Sequence, residues 1–321
     1  MVAYAVAVDL GGTNLRVAAI DERGNIVSRL KLPTSGEKGT DALFRNLVNG
    51  IHEMYQRCPG DAIKGVGLGI AGAIDIRKGT VTQAPNVPAW EHYPLKEQVL
   101  TCLPKGSTVV LENDANAAAV GELWKGAGIG VQDLVCITLG TGVGGGIIVE
   151  GKLVHGADGM AGEVGHITVD PDGPRCNCGN YGCLEALASA TAIRREAMKA
   201  FGTPAGEKLC GASKGNQESI TAEMVYRLAE SGDPASLSIY QAMGRYLGIG
   251  IASLINIFNP EMVIIGGGVS QAWNLFITAA EEEVYKRAFK IPAQRAKLVP
   301  AGCGDDAALL GAAYLVLSRD S

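Results

Sequence analysis

Apolar and polar positions along this chain switch between a period of two and a period near 3.6, and the switch points mark its elements. Apolar runs at residues 5–9, 17–21 and 26–32, separated by Gly11-Gly12-Thr13-Asn14 and Gly24-Asn25, predict three strands joined by tight turns. Residues 41–57 then space Leu43, Leu47, Ile51 and Met54 at helical intervals. Residues 66–70 and 108–111 read as strands ending in Ala71-Gly72 and Asn113-Asp114, and 115–125 reads as a helix. Another strand–turn–strand begins at Leu134. Helical patterns follow at 221–231, 235–258 and 272–288, with a buried strand at 262–265 opening into Gly266-Gly267-Gly268. The last helical pattern, 305–317, begins on acidic residues, which suits the positive end of a helix dipole. Gly302 and Gly304 before it allow the chain to reverse, so this helix is expected to pack on the N-terminal domain.

Strands alternating with helices define a layered α/β protein. Within it, Asp9-Leu10-Gly11-Gly12-Thr13 is echoed by Thr138-Leu139-Gly140-Thr141-Gly142, and each is followed by an apolar strand and a glycine turn. Repetition of a supersecondary unit predicts two related domains whose glycine loops face each other across a cleft. The expected division is a smaller N-terminal α/β domain, residues 1–115 plus 303–321, and a larger α/β domain, residues 116–302.

Composition narrows the partners. The 321 residues suffice for two sizeable cores, and 47% hydrophobic with 19% charged content describes a soluble globular chain. A net charge of −5 without a basic run, and only 5% aromatics, exclude a phosphate-tracking stripe or a base-stacking platform, so no nucleic acid is expected. The apolar run at 247–258 is interrupted by Gly248, Gly250, Ser253 and Asn256, so no membrane span is expected either. The start, Met1-Val2-Ala3-Tyr4, has no basic segment and its first apolar run stops at Asp9, unlike a secretory signal. A cytoplasmic protein is expected, in which Cys58, Cys102, Cys136, Cys210 and Cys303 are single buried thiols.

The other three cysteines are different. Cys176, Cys178 and Cys183 follow His166 closely and supply, with it, the soft donor set of a closed four-coordinate zinc site. Gly179 and Gly182 let the chain fold back so that the sulfurs converge. Glu163 and Glu185 flank the cluster, and a purely structural zinc knuckle has no need of them. The metal would shape a loop whose acids face a polar ligand.

The glycine loops suggest what that ligand meets. Asp9-Leu10-Gly11-Gly12-Thr13-Asn14 lacks the ending of a P-loop, but its amides and the Thr13 hydroxyl can donate to phosphate oxygens. Asp9 suits a magnesium-side carboxylate, and Arg16 adds charge nearby. A plain structural turn is the competing reading. Gly140-Thr141-Gly142 and the glycines after it imply a close approach to the backbone, and Gly267-Gly268 offers a third, suited to the flat face of a nucleotide. Asn113-Asp114 reads equally as a helix N-cap and as a carboxylate that accepts a hydroxyl proton during phosphoryl transfer. His52, His92 and His155 show no partner pattern and read as surface or packing residues.

Taken together, Asp9-Leu-Gly-Gly-Thr, Glu112-Asn113-Asp114-Ala-Asn116-Ala, Leu139-Gly-Thr-Gly-Val-Gly-Gly-Gly, Gly162-Glu-Val-Gly-His166 and Cys-x-Cys-Gly-x-x-Gly-Cys-Leu-Glu resemble the ROK family of sugar kinases and repressors. The resemblance runs from Asp9 through Gly311 without a departure at any motif position. It implies two actin-like, ribonuclease-H-like domains around a central cleft. It also implies Asp114 as catalytic base, with Gly72, Asn113, Glu163, His166 and Glu185 on the sugar. Zinc would be held by His166, Cys176, Cys178 and Cys183. Asp9, Gly11, Gly12, Thr13, Asn14, Gly140, Thr141, Gly142, Gly267 and Gly268 would hold the nucleotide, with Mg2+ accompanying ATP.

Residues 84–90, Ala-Pro-Asn-Val-Pro-Ala-Trp, are similar to the family's bacterial glucokinases, so the implied reaction is transfer of the γ-phosphate of ATP to the 6-hydroxyl of glucose by a homo-oligomer, dimer or tetramer. Alternatives are another hexose such as N-acetylmannosamine or fructose, polyphosphate as donor, or a non-catalytic sugar sensor. The family's repressors carry a helix-turn-helix domain before the first glycine loop, whereas eight residues precede Asp9 here. An actin-like filament protein would not need the zinc loop.

Overall fold

The computed structural model describes residues 2–12, 14–34, 40–58, 62–84 and 87–320; Thr13, Pro85 and Asn86, singled out in the sequence, lie outside the described residues. The first three apolar runs form β1 (Tyr4–Leu10), β2 (Asn14–Asp21) and β3 (Ile26–Pro33), followed by α1 (Thr40–Arg57) and β4 (Ile63–Ile70). A small antiparallel pair, β5 (Ala73–Asp75) and β6 (Thr80–Gln83), precedes α2 (Leu95–Thr101), β7 (Thr108–Asn113) and α3 (Asp114–Lys125). Next come β8 (Leu134–Leu139), β9 (Val143–Val149) and β10 (Lys152–Leu153). The helices α4 (Leu184–Ala188), α5 (Ala190–Ala200), α6 (Glu207–Ala212), α7 (Ala222–Glu230) and α8 (Pro234–Phe258) lead to β11 (Met262–Gly266). The chain ends with α9 (Trp273–Arg287), α10 (Lys290–Arg295), β12 (Lys297–Pro300) and α11 (Ala307–Leu317).

One sheet has the order β3-β2-β1-β4-β7, antiparallel on the β3 side of β1 and parallel on the other. The other has the order β10-β9-β8-β11-β12, with β11 parallel to both β8 and β12. Strand for strand the order is the same. The echo between the two glycine loops is therefore the visible part of a repeated sheet.

By contacts the chain divides into two units, residues 1–132, 146–162 and 302–321, and residues 133–145 and 163–301. The expected boundary at 115/116 differs from this division, because α3 belongs to the first unit. The reason is its packing on α11. A Cβ on Gly311 would lie 1.7 Å from the Ala117 carbonyl oxygen, and one on Gly121 would lie 2.0 Å from that of Ala307, so only hydrogen at both positions allows this approach. Glu122 of α3, fully buried, also accepts the backbone N–H groups of Ala127, Gly302 and Cys303 at 2.9, 2.9 and 2.8 Å.

In the first unit, β1 sends alternate side chains to opposite faces. Val6, Val8 and Leu10 join Leu43, Leu47, Ile51 and Met54 of α1 in one core. The smaller Ala5 and Ala7 face Leu309, Leu310, Ala312, Ala313 and Val316 of α11. The C-terminal helix thus packs on the N-terminal sheet, as its glycines suggested. In the second unit, α8 is capped by Asp233, which accepts from the Ser236 N–H at 3.0 Å, and ends at Asn259 in the left-handed conformation. Gly244 and Gly248 on α8 are notches for α9: a Cβ at either would lie 2.3 Å from a carbonyl oxygen of Phe276 or Ala280. No helix among the described residues is long and apolar enough to cross a membrane.

Candidate active site

Strand β7 delivers Glu112, Asn113 and Asp114 to the start of α3. Asn113 is the N-cap: its Oδ1 accepts the N–H groups of Ala115 and Asn116 at 2.8 and 3.1 Å, and its Nδ2 donates to the Gly72 carbonyl at 3.0 Å. Asp114 is the first helical residue, half-buried, with Oδ1 accepting the Ala115 N–H at 2.9 Å. The two readings of this pair therefore separate, with Asn113 doing the capping. Gly72 has to be glycine because a Cβ would meet the Gln83 carbonyl oxygen at 2.3 Å. Its carbonyl holds Asn113.

Glu112, 3% exposed, accepts the Asn113 N–H and Asn116 Nδ2 on Oε1, both at 2.9 Å. Its Oε2 lies 2.7 Å from His155 Nε2. This bond holds the imidazole's pKa above its ordinary value, against the opposing effect of burial. The expectation that His155 is a surface or packing residue is corrected here: it pairs with Glu112, which is far away in sequence, so no spacing rule joins them. His52 also has a partner, its Nε2 lying 2.7 Å from the Cys102 carbonyl oxygen.

Near the end of β1, Asp9 is buried, with Oδ2 2.9 Å from Arg16 Nη2. The contact is charge without hydrogen-bond alignment, for Asp9 Oδ2 has no hydrogen-bond partner among the described residues. Burial pushes this carboxyl above its ordinary range while Arg16 pulls it back. A buried carboxylate oxygen without a hydrogen bond suits a hydrated cation, and at Gly11 beside it, whose N–H bonds the Asn14 carbonyl, a Cβ would touch only that carbonyl oxygen, at 3.8 Å. These residues fit a magnesium–phosphate group.

In the second unit His166, Cys176, Cys178 and Cys183 each place one ligand atom within 4.8 Å of the others. Zinc–sulfur bonds of about 2.3 Å meeting at the tetrahedral angle would put sulfurs about 3.8 Å apart. The Cys178 and Cys183 sulfurs are 3.7 Å apart, and Cys176 Sγ is 3.7 Å from His166 Nδ1. The loop is held by Cys176 N–H to the Asn180 carbonyl and by Gly182 N–H to the Pro174 carbonyl. Gly182 has φ +63°, and a Cβ there would lie 1.5 Å from the Asp170 carbonyl oxygen. Burial pushes the Cys176 thiol up to about 12 and raises Cys183, whereas the Asn180 N–H lowers Cys178. A divalent cation supplies the charge that makes such thiols thiolates, the form that binds it. The donor set fits zinc.

Around this cluster, His166 turns Nε2 toward Glu163, 3.9 Å from Oε2, and half of the Glu163 side chain is exposed. Glu185, in the first turn of α4, accepts the Val143 N–H on Oε2 at 3.1 Å and the Cys176 thiol on Oε1 at 3.6 Å. Glu185 also explains Gly142, where a Cβ would come within 2.3 Å of Oε2.

A cavity of about 350 Å³ in the same unit brings together Gly140, Thr141 and Gly268 with Glu223 and Tyr226 of α7, Tyr240 of α8, and Gln271. Gly140 and Gly268 face open space, whereas Gly267 has φ +85° and packs on Leu139. Glu223, Tyr226, Tyr240 and Gln271 escaped the sequence reading, since an amphipathic helix pattern does not say which polar position borders a cavity. A larger cavity, about 470 Å³, lies among Asp170, Arg195, Glu196, Lys199 and Tyr246 and includes none of the expected site residues.

Residues 5–319 match the ROK family, and the chain belongs to it. The fold is the actin-like, ribonuclease-H-like fold of that family's sugar kinases. The chain is 38% identical to a glucokinase of Halalkalibacterium halodurans, over 99% of this chain and 96% of that one. It is 39% identical to a glucokinase of Thermotoga maritima, over 98% and 97%. A ROK family glucokinase from Streptomyces griseus, solved in complex with glucose and AMPPNP, aligns with a TM-score of 0.83 at 37% identity, over 97% of this chain and 98% of that one.

Proposed function

We propose that this protein is a glucokinase, transferring the γ-phosphate of ATP to the 6-hydroxyl of glucose. The observation that carries the reading is the start of α3, where Asn113 takes the capping bonds and Asp114 holds a carboxylate at the first helical position. The choice of glucose and ATP rests on the near-full-length likeness to glucokinases, one of them holding both a glucose and an ATP analogue.

In this reading Asp114 accepts the proton of the 6-hydroxyl as its oxygen attacks the γ-phosphorus, and the bond from that phosphorus to the ADP oxygen breaks in line. Asn113, oriented by Gly72, and the Glu163, His166 and Glu185 side chains hold the other hydroxyls. His166 offers the sugar Nε2, its Nδ1 being on the cysteine side. The slot at Gly140, Thr141 and Gly268 takes the nucleotide, and the amides after Asp9 take its phosphates. Magnesium, when bound with ATP, neutralises charge on the transferring phosphate, and zinc, when bound by His166, Cys176, Cys178 and Cys183, fixes the loop between Glu163 and Glu185. The proposal includes a cytoplasmic homo-oligomer with sugar and ATP, and neither nucleic acid nor membrane, as partners.

A coupled spectrophotometric assay over glucose, N-acetylmannosamine and fructose, each with ATP and with polyphosphate, tests it. Glucose with ATP should give the highest kcat/KM. A higher value for another hexose or for polyphosphate would replace the assignment.

A further inference from the structure

Glu112 is a buried carboxylate, and such a group needs donors for its lone pairs or else takes up a proton. Three donors surround it. Two, the Asn113 N–H and Asn116 Nδ2, flank Asp114 in sequence, and both act on Oε1. The third, His155 Nε2, is at Oε2 and comes from a distant stretch just beyond β10. That stretch is tied to His155 from behind: the Gly159 and Ala161 N–H groups donate to its carbonyl at 3.1 and 3.2 Å. The neighbouring Val154 N–H bonds the Ile147 carbonyl at 2.8 Å. The imidazole is thus held on an anchored backbone and aimed at one carboxylate oxygen.

We propose that His155 is a positioning residue for phosphoryl transfer: by donating Nε2–H to Glu112 it locks the carboxylate that aims Asn113 and the first turn of α3, and so sets the direction of Asp114. The proposal deepens the kinase reading and rests on it. With the imidazole gone, Oε2 has lost its donor and the Glu112 carboxylate can turn about its last torsion. Both bonds to Oε1 then weaken, and Asn113 moves with them. Displacement of a reacting group by about 1 Å can cost about 100-fold in rate. The nucleotide slot is lined by other elements, so the effect should fall on the sugar side of the reaction.

The test compares His155→Leu, which keeps apolar bulk without a donor, with His155→Gln, which restores a donor, both in the full chain. His155→Leu should lower kcat/KM for glucose by about 10- to 100-fold, raise the KM for glucose, and leave the KM for ATP within about twofold. His155→Gln should recover most of that loss. A general loss of folded protein would instead lower kcat with both KM values unchanged, and that outcome, or a Gln variant no better than Leu, overturns the proposal. Hydrogen exchange at the Asn113 N–H, whose acceptor is Glu112 Oε1, gives a readout that needs no activity. Exchange should quicken about tenfold or more in His155→Leu, for a loss near 1.4 kcal/mol in the bond, and unchanged exchange overturns the proposal. If the wild-type chain phosphorylates no sugar, the kinase reading fails separately, and the exchange result still decides whether His155 holds the Glu112–Asn113 bond.

Discussion

Replacing Asp114 by Asn separates catalysis from capping, because the structure gives the capping bonds to Asn113 and the proposed base is its neighbour Asp114. The capping bonds belong to the Asn113 Oδ1, at 2.8 and 3.1 Å, and survive the substitution. What the helix loses is one negative charge at its first position, worth about 0.3–1 kcal/mol. For a chain this large that shifts the melting temperature by roughly 0.5–1.5 °C. In the proposed reaction Asp114 is the proton acceptor, and an amide cannot take the hydroxyl proton. General-base contributions of about 10²–10⁴-fold correspond to about 2.7–5.5 kcal/mol on the barrier. The barrier effect therefore exceeds the stability effect several-fold. Steady-state turnover with glucose and ATP, glucose binding by calorimetry and a thermal melt, all on the same preparation, measure each quantity. Turnover within about tenfold of wild type would refute the role of Asp114 as base. Loss of turnover together with loss of glucose binding and a large fall in melting temperature would mean that the residue is structural.

Asn113→Ala removes the cap and the bond to Gly72, so it should lower stability by about 0.5–2 kcal/mol and raise the KM for glucose; an unchanged melt and KM would contradict the capping assignment. Cys178→Ser or Cys183→Ser should lose zinc and then sugar affinity, from a wild type holding about one zinc per chain, as read by elemental analysis; active protein without zinc would remove the site. Glu122→Ala deprives three backbone N–H groups of their acceptor and should cost about 3 kcal/mol or more in a denaturant melt; a change below about 1 kcal/mol would mean that the α3–α11 contact does not depend on it. Glu112 raises the His155 pKa in the folded chain, so this pair's stabilisation is full below about pH 6.5 and fades as pH rises through the raised value. Urea melts of wild type and His155→Gln should differ most near pH 6 and converge in alkali, whereas a constant difference across pH would contradict the pairing.

The longer elements were legible because burial imposes a period. Leu43, Leu47, Ile51 and Met54 all lie in the core beside β1, and the loop repeat gave the doubled sheet. The short elements carried too few positions to show one: β5 and β6 have three and four residues, and β12, Lys-Leu-Val-Pro, has no fully buried residue. The end of α4 and start of α5 are set by Ser189, whose Oγ caps Ala192, a break hidden inside a continuous apolar pattern. At the candidate site the cysteine loop was readable because its donors are close in sequence. The Glu112–His155 pair, 43 residues apart, was not. Nor could the sequence sort its glycines. Gly142 is small for Glu185 and Gly267 packs on Leu139, while Gly140 and Gly268 are the ones left open to a ligand.

In the proposed reaction this chain moves a phosphoryl group from ATP to one hydroxyl of glucose through Asp114. Phosphorus NMR of glucose, ATP and magnesium with the wild-type protein, run beside Asp114→Asn, tests it directly. Glucose 6-phosphate and ADP should appear in equal amounts with the wild type, at a rate lower by about 10²–10⁴ in the variant. Phosphate released as inorganic phosphate, a phosphorylated position other than the 6-hydroxyl, or equal rates in the two proteins would contradict it.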